Sequence, residues 1–155
     1  MMILVILFRW LHVLSACLVL GGSVAMRFVL PAGLSQLEGP AAEAAILACR
    51  RVFKRIVHSA VLLLLVSGIF NTWRNWATYT TSPLAQSLWG THVMLAAVAI
   101  AIALYVLVGK WPPQRHRLLM AVNVAVLLAV ILAASSLKWW RDSHAAASRQ
   151  SVVQP

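Results

Sequence analysis

The chain has 155 residues, of which 62% are hydrophobic and only 10% are charged, and its mean hydropathy is +0.87. A soluble globular domain carries about 25% charged residues, so this composition excludes that class and indicates an integral membrane protein. The net charge of +10 comes from 13 Lys and Arg residues against 3 Asp and Glu residues. In a soluble protein that excess would suggest nucleic acid as a partner. Here the basic residues flank apolar runs, and we predict no nucleic-acid binding.

Four apolar stretches are long enough to span a membrane, because a hydrocarbon core about 30 Å thick is crossed by about 20 helical residues. They lie at about 3–30, 56–74, 89–109 and 118–137. We therefore predict an all-α fold, an integral membrane four-helix bundle that forms one domain at 1–137, with a polar tail at 138–155. The Ala-rich segment 41–55 ends in basic residues, and we predict that it forms an amphipathic helix on the inner leaflet before turning into the second span.

The basic residues are divided unequally between the two ends of these spans. The first and third connections hold eight of them: Arg27, Arg50, Arg51, Lys54, Arg55, Lys110, Arg115 and Arg117. The opposite side holds the other five: Arg9, Arg74, Lys138, Arg141 and Arg149. By the positive-inside rule, the chain is predicted to be a multi-pass protein of the bacterial inner (plasma) membrane, with both termini on the outer, periplasmic side.

Tryptophan placement indicates the same orientation. Six tryptophans fall at the outer ends of the spans, where they are predicted to form an aromatic belt: Trp10, Trp73, Trp76, Trp89, Trp139 and Trp140. On the inner side, four basic residues are predicted to bind anionic lipid: Arg50, Arg51, Lys54 and Arg55. Cys17 lies within a span and Cys49 on the cytoplasmic side, so no disulfide is predicted between them.

The first span carries a histidine well inside the apolar run. Small and polar side chains recur there at three- and four-residue spacing, on a stripe predicted to face the bundle: His12, Ser15, Val19, Gly22, Ser23 and Met26. An ionisable residue within the membrane is costly unless it reaches water, a partner or an internal site, so it is a functional hypothesis. Arg9, one turn before His12, is expected to extend to the lipid headgroups beside Trp10.

Depth in the membrane decides which histidines share a site. With about 1.5 Å of rise per residue, His12 lies a few Å and His92 about 10 Å outside the midplane, whereas His58 lies about 10 Å inside it. A histidine pair suits haem iron, and imidazole with a thioether suits Cu(I). The candidate ligands are His12 and His92, then Met94 if it faces inward, and additionally His58 and Asn71. The alternative is that the histidines only pack or contact water.

Three motifs resemble the copper resistance D (CopD) membrane domain and the short CopD-like proteins of bacteria. They are RWLHVLSACLVLGG with the following FVLPAG, RRVFKRIVHSAVLLLLVSGIFNTW, and SLWGTHVMLAAVAIAIAL, within about 9–137. The resemblance implies an inner-membrane protein of copper uptake or delivery, with His12 as the matching candidate ligand. At the position of His92, similar proteins often carry Lys.

A second resemblance is to HemJ-type protoporphyrinogen oxidases, which are also short four-helix membrane proteins, with a histidine in the first helix and bound haem b. It implies a haem-binding redox protein. Those proteins carry Lys in the third helix where this chain has His92, and the second hypothesis is a b-type haem protein with His12 and His92 as axial ligands. A third hypothesis is an accessory subunit that forms a homo-oligomer or docks onto a larger membrane complex. The three acidic residues, Glu38, Glu43 and Asp142, all lie outside the spans, so no hydrolytic or nucleophilic catalysis is predicted.

Overall fold

The structure is a computed structural model that describes residues 2–34, 39–109 and 111–153, with side chains except at 113 and 145–153. Its elements are α1 (Met2–Val24), a π-helical turn (Ala25–Val29), α2 (Leu30–Gly33), α3 (Pro40–Tyr79), α4 (Pro83–Val108) and α5 (Pro113–Val153). Prolines begin α3, α4 and α5, where the missing N–H costs no hydrogen bond. The π-helical turn and α2 continue α1 as far as Gly33.

Within the described residues, four helical segments are long and apolar enough to cross a membrane. They are Met2–Gly33, Pro40–Tyr79, Pro83–Val108 and Gln114–His144. The prediction of an all-α chain with four apolar helices of membrane length is therefore confirmed. Large hydrophobic side chains cover the outside of these helices, as expected where lipid rather than water surrounds them.

Helix α3 differs from the prediction at its start. The segment 41–55 does not form a separate helix that turns into the second span, because α3 is one continuous helix of 40 residues. The chain contains no Gly or Pro between Pro40 and Gly68, and its Ala, Leu, Lys and Arg residues favour helix. The composition of α3 therefore changes from amphipathic to apolar along its length, but the helix continues without a break. Similarly, α5 extends through the polar tail to Val153.

The helices pack as two antiparallel pairs. Helix α1 packs mainly against α3, and α4 mainly against α5, while α1 with α5 and α3 with α4 make narrower contacts between the pairs. We call the end with Met2 and the α3–α4 turn the terminal end, and the end with Gly33 and the α4–α5 turn the basic end. A small core of Val19, Val57, Ala60 and Val61 joins α1 to α3.

Two adjacent glycines of α1 allow a direct test of this packing. A Cβ atom at Gly22 would collide with the ring of Phe53 on α3, whereas a Cβ at Gly21 would meet no atom within 4 Å. We expect Gly22→Leu to lower the free energy of unfolding by about 1–3 kcal/mol, because an overpacked core must rearrange. Thermal unfolding in detergent measures the effect, with Gly21→Leu as the matched control. Equal destabilisation by both variants would contradict the α1–α3 contact.

Candidate metal centre

His12 projects from α1 onto α3. Its Nδ1 atom lies 2.9 Å from Oγ of Ser67, and a Cβ atom at Gly68 would lie only 3.4 Å from the imidazole. The Ser67 hydroxyl donates its proton to the carbonyl of Leu63, at 2.5 Å. Since a hydroxyl has one proton, Nδ1–H of His12 donates to Ser67, and Nε2 keeps its lone pair.

The ring of His92 is also fixed by a hydrogen bond to a neighbouring helix, in this case within the α4–α5 pair. Its Nδ1 atom lies 3.3 Å from the backbone carbonyl of Val130 on α5. A carbonyl only accepts hydrogen bonds, so Nδ1 of His92 carries the proton and Nε2 is left unprotonated. Histidines that bind metals commonly have one ring nitrogen fixed in this way by a carbonyl or another acceptor, which orients the ring and leaves the second nitrogen to the metal.

The structure brings these two imidazoles together where the helix pairs meet. Their ring centroids are 6.5 Å apart and their planes are inclined by 52°. Both side chains are half-buried. Because His12 is tied to α3 and His92 to α5, the two rings connect the α1–α3 pair to the α4–α5 pair at one point.

The spacing of the rings can be compared with that of two ligands on one ion. A metal–imidazole bond is about 2 Å, and the ring centre lies about 1 Å beyond the nitrogen, so imidazoles on opposite sides of an ion have centroids about 6 Å apart. The observed 6.5 Å fits this arrangement. Among the residues that the structure describes, no group of three or more His, Cys, Asp and Glu is placed to hold a metal ion.

The other candidates lie apart from this pair. Met94 is 64% exposed on the outer surface of α4, so its thioether faces away from the bundle. His58 is exposed on α3, where its Nδ1–H donates to the carbonyl of Lys54 at 2.6 Å. Asn71 is half-buried one turn beyond Ser67. Its backbone carbonyl accepts a hydrogen bond from the side-chain amide of Asn75.

Aromatic rings pack between the histidine pair and the terminal end. Phe8, one turn before His12, stacks on Phe70 of α3 at 4.2 Å. Trp89, one turn before His92, packs between Trp76 and Tyr79, with centroid distances of 5.4 and 6.1 Å. These rings place apolar surface next to the pair, which lowers the local dielectric constant and limits access of water.

The aromatic belt is only partly as predicted. Trp10, Trp73 and Trp139 are exposed around the terminal end, where an interface would hold them. Trp140 differs, because it is 4% exposed and packs on the ring of His144. It belongs to the interior of the bundle, since consecutive residues of a helix point in different directions.

Fold and site together define the chain as a bundle of four apolar helices with a histidine pair between its two halves. Comparison with protein-family models, curated proteins and solved structures finds no match to this chain. The resemblance to CopD-like proteins therefore stays a prediction from the sequence motifs.

Proposed function

We propose that this chain is a CopD-like membrane protein that binds one copper ion between His12 and His92. The observation that carries the proposal is the proximity of the two imidazoles, with ring centroids 6.5 Å apart, while Nδ1 of His12 bonds Ser67 and Nδ1 of His92 bonds the carbonyl of Val130. The two remaining Nε2 atoms are the groups available to a metal, and imidazole is a common ligand of copper.

The surroundings of the pair favour an ion of low charge. Glu43 lies in the first turn of α3, at the basic end, and Asp142 pairs with Lys138 at 2.5 Å near the other end of the bundle. Within the described residues, neither acid is placed to offset the charge of a divalent ion between the helices; Glu38 lies outside the residues that the structure describes. Because the cost of moving an ion out of water rises with its charge, two neutral imidazoles in an apolar bundle suit Cu(I) better than a divalent ion.

The proposed orientation gives the site its place in copper uptake or delivery. With the basic end in the cytoplasm, the histidine pair lies in the outer half of the bacterial inner membrane. His12 and His92 would then receive copper from the periplasmic side. The four basic residues of α3 would lie at the inner leaflet, where anionic lipid is the expected partner: Arg50, Arg51, Lys54 and Arg55.

A b-type haem is the second candidate, and the same pair geometry favours it. Histidine is a common ligand of haem iron, and the aromatic rings towards the terminal end would give a porphyrin apolar surface. His12 and His92 would hold the iron, and the haem would supply one-electron redox chemistry when bound.

An absorption spectrum of the detergent-purified protein, oxidised and then reduced with dithionite, with metal analysis on the same sample, tests both candidates. Copper near one ion per chain without visible bands is the expected result. A Soret band with sharp reduced α and β bands would replace copper by haem b. A colourless protein that remains metal-free after incubation with Cu(I) would contradict both and favour the accessory role.

Ser67→Ala tests the hydrogen bond that orients His12. We expect this variant to lower the affinity for Cu(I) by about 10–100-fold, because the ring loses the acceptor that fixes its orientation and its protonated nitrogen. Titration against a competing Cu(I) chelator measures the affinity. Ser136→Ala is the matched control, since Ser136 is exposed and its hydroxyl bonds only the carbonyl of Leu132. An unchanged affinity in Ser67→Ala would contradict the proposed role of Ser67.

A further inference from the structure

A cavity of about 530 Å³ opens at the basic end of the bundle. Its mouth is formed by Trp111 of the α4–α5 turn, by His116 of α5, and by Arg50, Arg51 and Lys54 of α3. Along α1 it ends at Val19, which is about 10 Å of helical rise from His12. The cavity is therefore a separate feature from the histidine pair.

The mouth of the cavity is positively charged. Three basic side chains of α3, Arg50, Arg51 and Lys54, line the opening, and His116 of α5 lines it as well. Acidic groups are absent from the residues that line the described cavity. An anionic group at this opening would meet guanidinium and ammonium donors, which form strong charge-assisted hydrogen bonds.

The inner part of the cavity is mostly apolar. Its walls include Val57, Ala103, Val106 and Met120, and they suit a hydrocarbon chain. Two buried polar side chains also line it: the Ser23 hydroxyl donates to the carbonyl of its own helix at 2.7 Å, whereas Oδ1 of Asn123 has no hydrogen-bond partner. A buried acceptor is normally paired with protein, water or a ligand, so we expect a water molecule at Asn123 to accompany a hydrocarbon chain in the cavity.

We propose that this cavity binds a single-chain anionic lipid, with its phosphate or carboxylate head at Arg50 and its chain between the helices. The volume supports a ligand of this size. A water molecule occupies about 30 Å³ in the liquid, so a cavity of about 530 Å³ holds about 18 water-sized groups, such as the carbon atoms of a single acyl chain. The cationic mouth and apolar interior match the two ends of such a lipid. This internal site is distinct from adsorption of bilayer lipid on the outer surface of α3.

Variants of two basic residues of α3 can distinguish binding at the internal site from adsorption on the surface. Arg50 lines the cavity but not the shallow depression on the outside of α3, whereas Arg55 lines that depression but not the cavity. Each substitution to glutamine removes one positive charge from the same helix. We expect Arg50→Gln to weaken binding of oleoyl lysophosphatidate by about tenfold and Arg55→Gln to leave it within about twofold of the unmodified protein.

Native mass spectrometry of the detergent-solubilised chain measures stoichiometry and affinity. We expect one lysophosphatidate per chain, bound at least tenfold more tightly than lysophosphatidylcholine of the same chain length. Equal binding of lysophosphatidylcholine would overturn the role of the cationic mouth. Competition by inorganic phosphate at the same concentration as the lipid would show a free-anion site instead. Equal losses in Arg50→Gln and Arg55→Gln would show surface adsorption.

A second pair of variants tests the apolar part of the site without changing charge. Ala103 is buried and lines the cavity, whereas Ala101, on the same helix, is exposed. Ala103→Leu is expected to fill part of the cavity and to weaken lysophosphatidate binding by about tenfold, while Ala101→Leu is not expected to affect it. Thermal unfolding of both variants shows whether each is folded. Unchanged binding in a folded Ala103→Leu protein would overturn the internal position of the chain.

Discussion

His12→Ala is expected to abolish copper binding, lowering the affinity of the protein for Cu(I) by more than about 100-fold. Loss of a residue that only orients a metal ligand already costs about 10–100-fold, and loss of the ligand itself leaves His92 as a single imidazole. His92→Ala is expected to have the same effect, because each histidine supplies one of the two available Nε2 atoms. Cu(I) titration with a chelator competitor, on protein purified without metal, measures all three affinities.

His58→Ala is the matched control for these variants. His58 is exposed on α3 and bonds only its own helix, so its removal is expected to leave copper binding unchanged while still deleting an imidazole. Helix content and thermal unfolding should be compared for all variants, because His12 also connects α1 to Ser67. Full copper occupancy in either folded His12→Ala or folded His92→Ala would contradict a site shared by the two residues.

The placement of this pair shows what sequence reasoning supplies and what it lacks. Rise per residue is nearly constant in a helix, so the positions of His12 and His92 along their spans could be predicted from the span boundaries. The direction of each ring could not be predicted in this way. His92 is oriented by the backbone carbonyl of Val130, and because every residue has such a carbonyl, no sequence pattern identifies it. Ser67 could have been noticed, since it is a polar residue in the half of α3 nearer the terminal end.

The sequence left open whether Met94 faces inward, and it did not predict the cavity at the basic end, for a related reason. Met94 lies two positions after His92, and two positions correspond to a rotation of about 200° around a helix. When His92 is buried, Met94 therefore points outward unless a third helix covers it. The cavity is lined by residues of α1, α3, α4 and α5, and its existence depends on how these helices are arranged around the bundle. Hydropathy predicts which segments enter the membrane, but it does not predict which helices pack against one another.

The continuity of α3 has a different cause. The Ala-rich composition of 41–55 indicated a helix, and the apolar composition of 56–74 indicated another. Nothing between them breaks a helix, and the turn was inferred only from the expected change of surroundings. Helix propensity and the absence of Gly and Pro decide backbone continuity, so the whole of Pro40–Tyr79 forms one helix, about 60 Å long at 1.5 Å per residue.

The orientation of the bundle predicts an all-or-none labelling result. Cys49 is exposed near the basic end of α3, and Cys17 is exposed on an apolar part of α1. With the basic end in the cytoplasm, a charged, membrane-impermeant maleimide should leave Cys49 unlabelled in spheroplasts and label it after lysis. Cys17 should stay unlabelled in both, because lipid surrounds it, and Cys17→Ser removes any ambiguity.

The matched probe for the opposite end is Thr81→Cys in a Cys17→Ser, Cys49→Ala background. Thr81 is exposed in the turn between α3 and α4, so its replacement should be labelled in intact spheroplasts. The reverse pattern, with Cys49 labelled from outside and Thr81→Cys protected, would place His12 and His92 in the inner half of the membrane. Copper could not then reach the pair from the periplasm without crossing most of the bilayer, so that pattern would exclude the proposed uptake from that side even if the purified protein binds Cu(I).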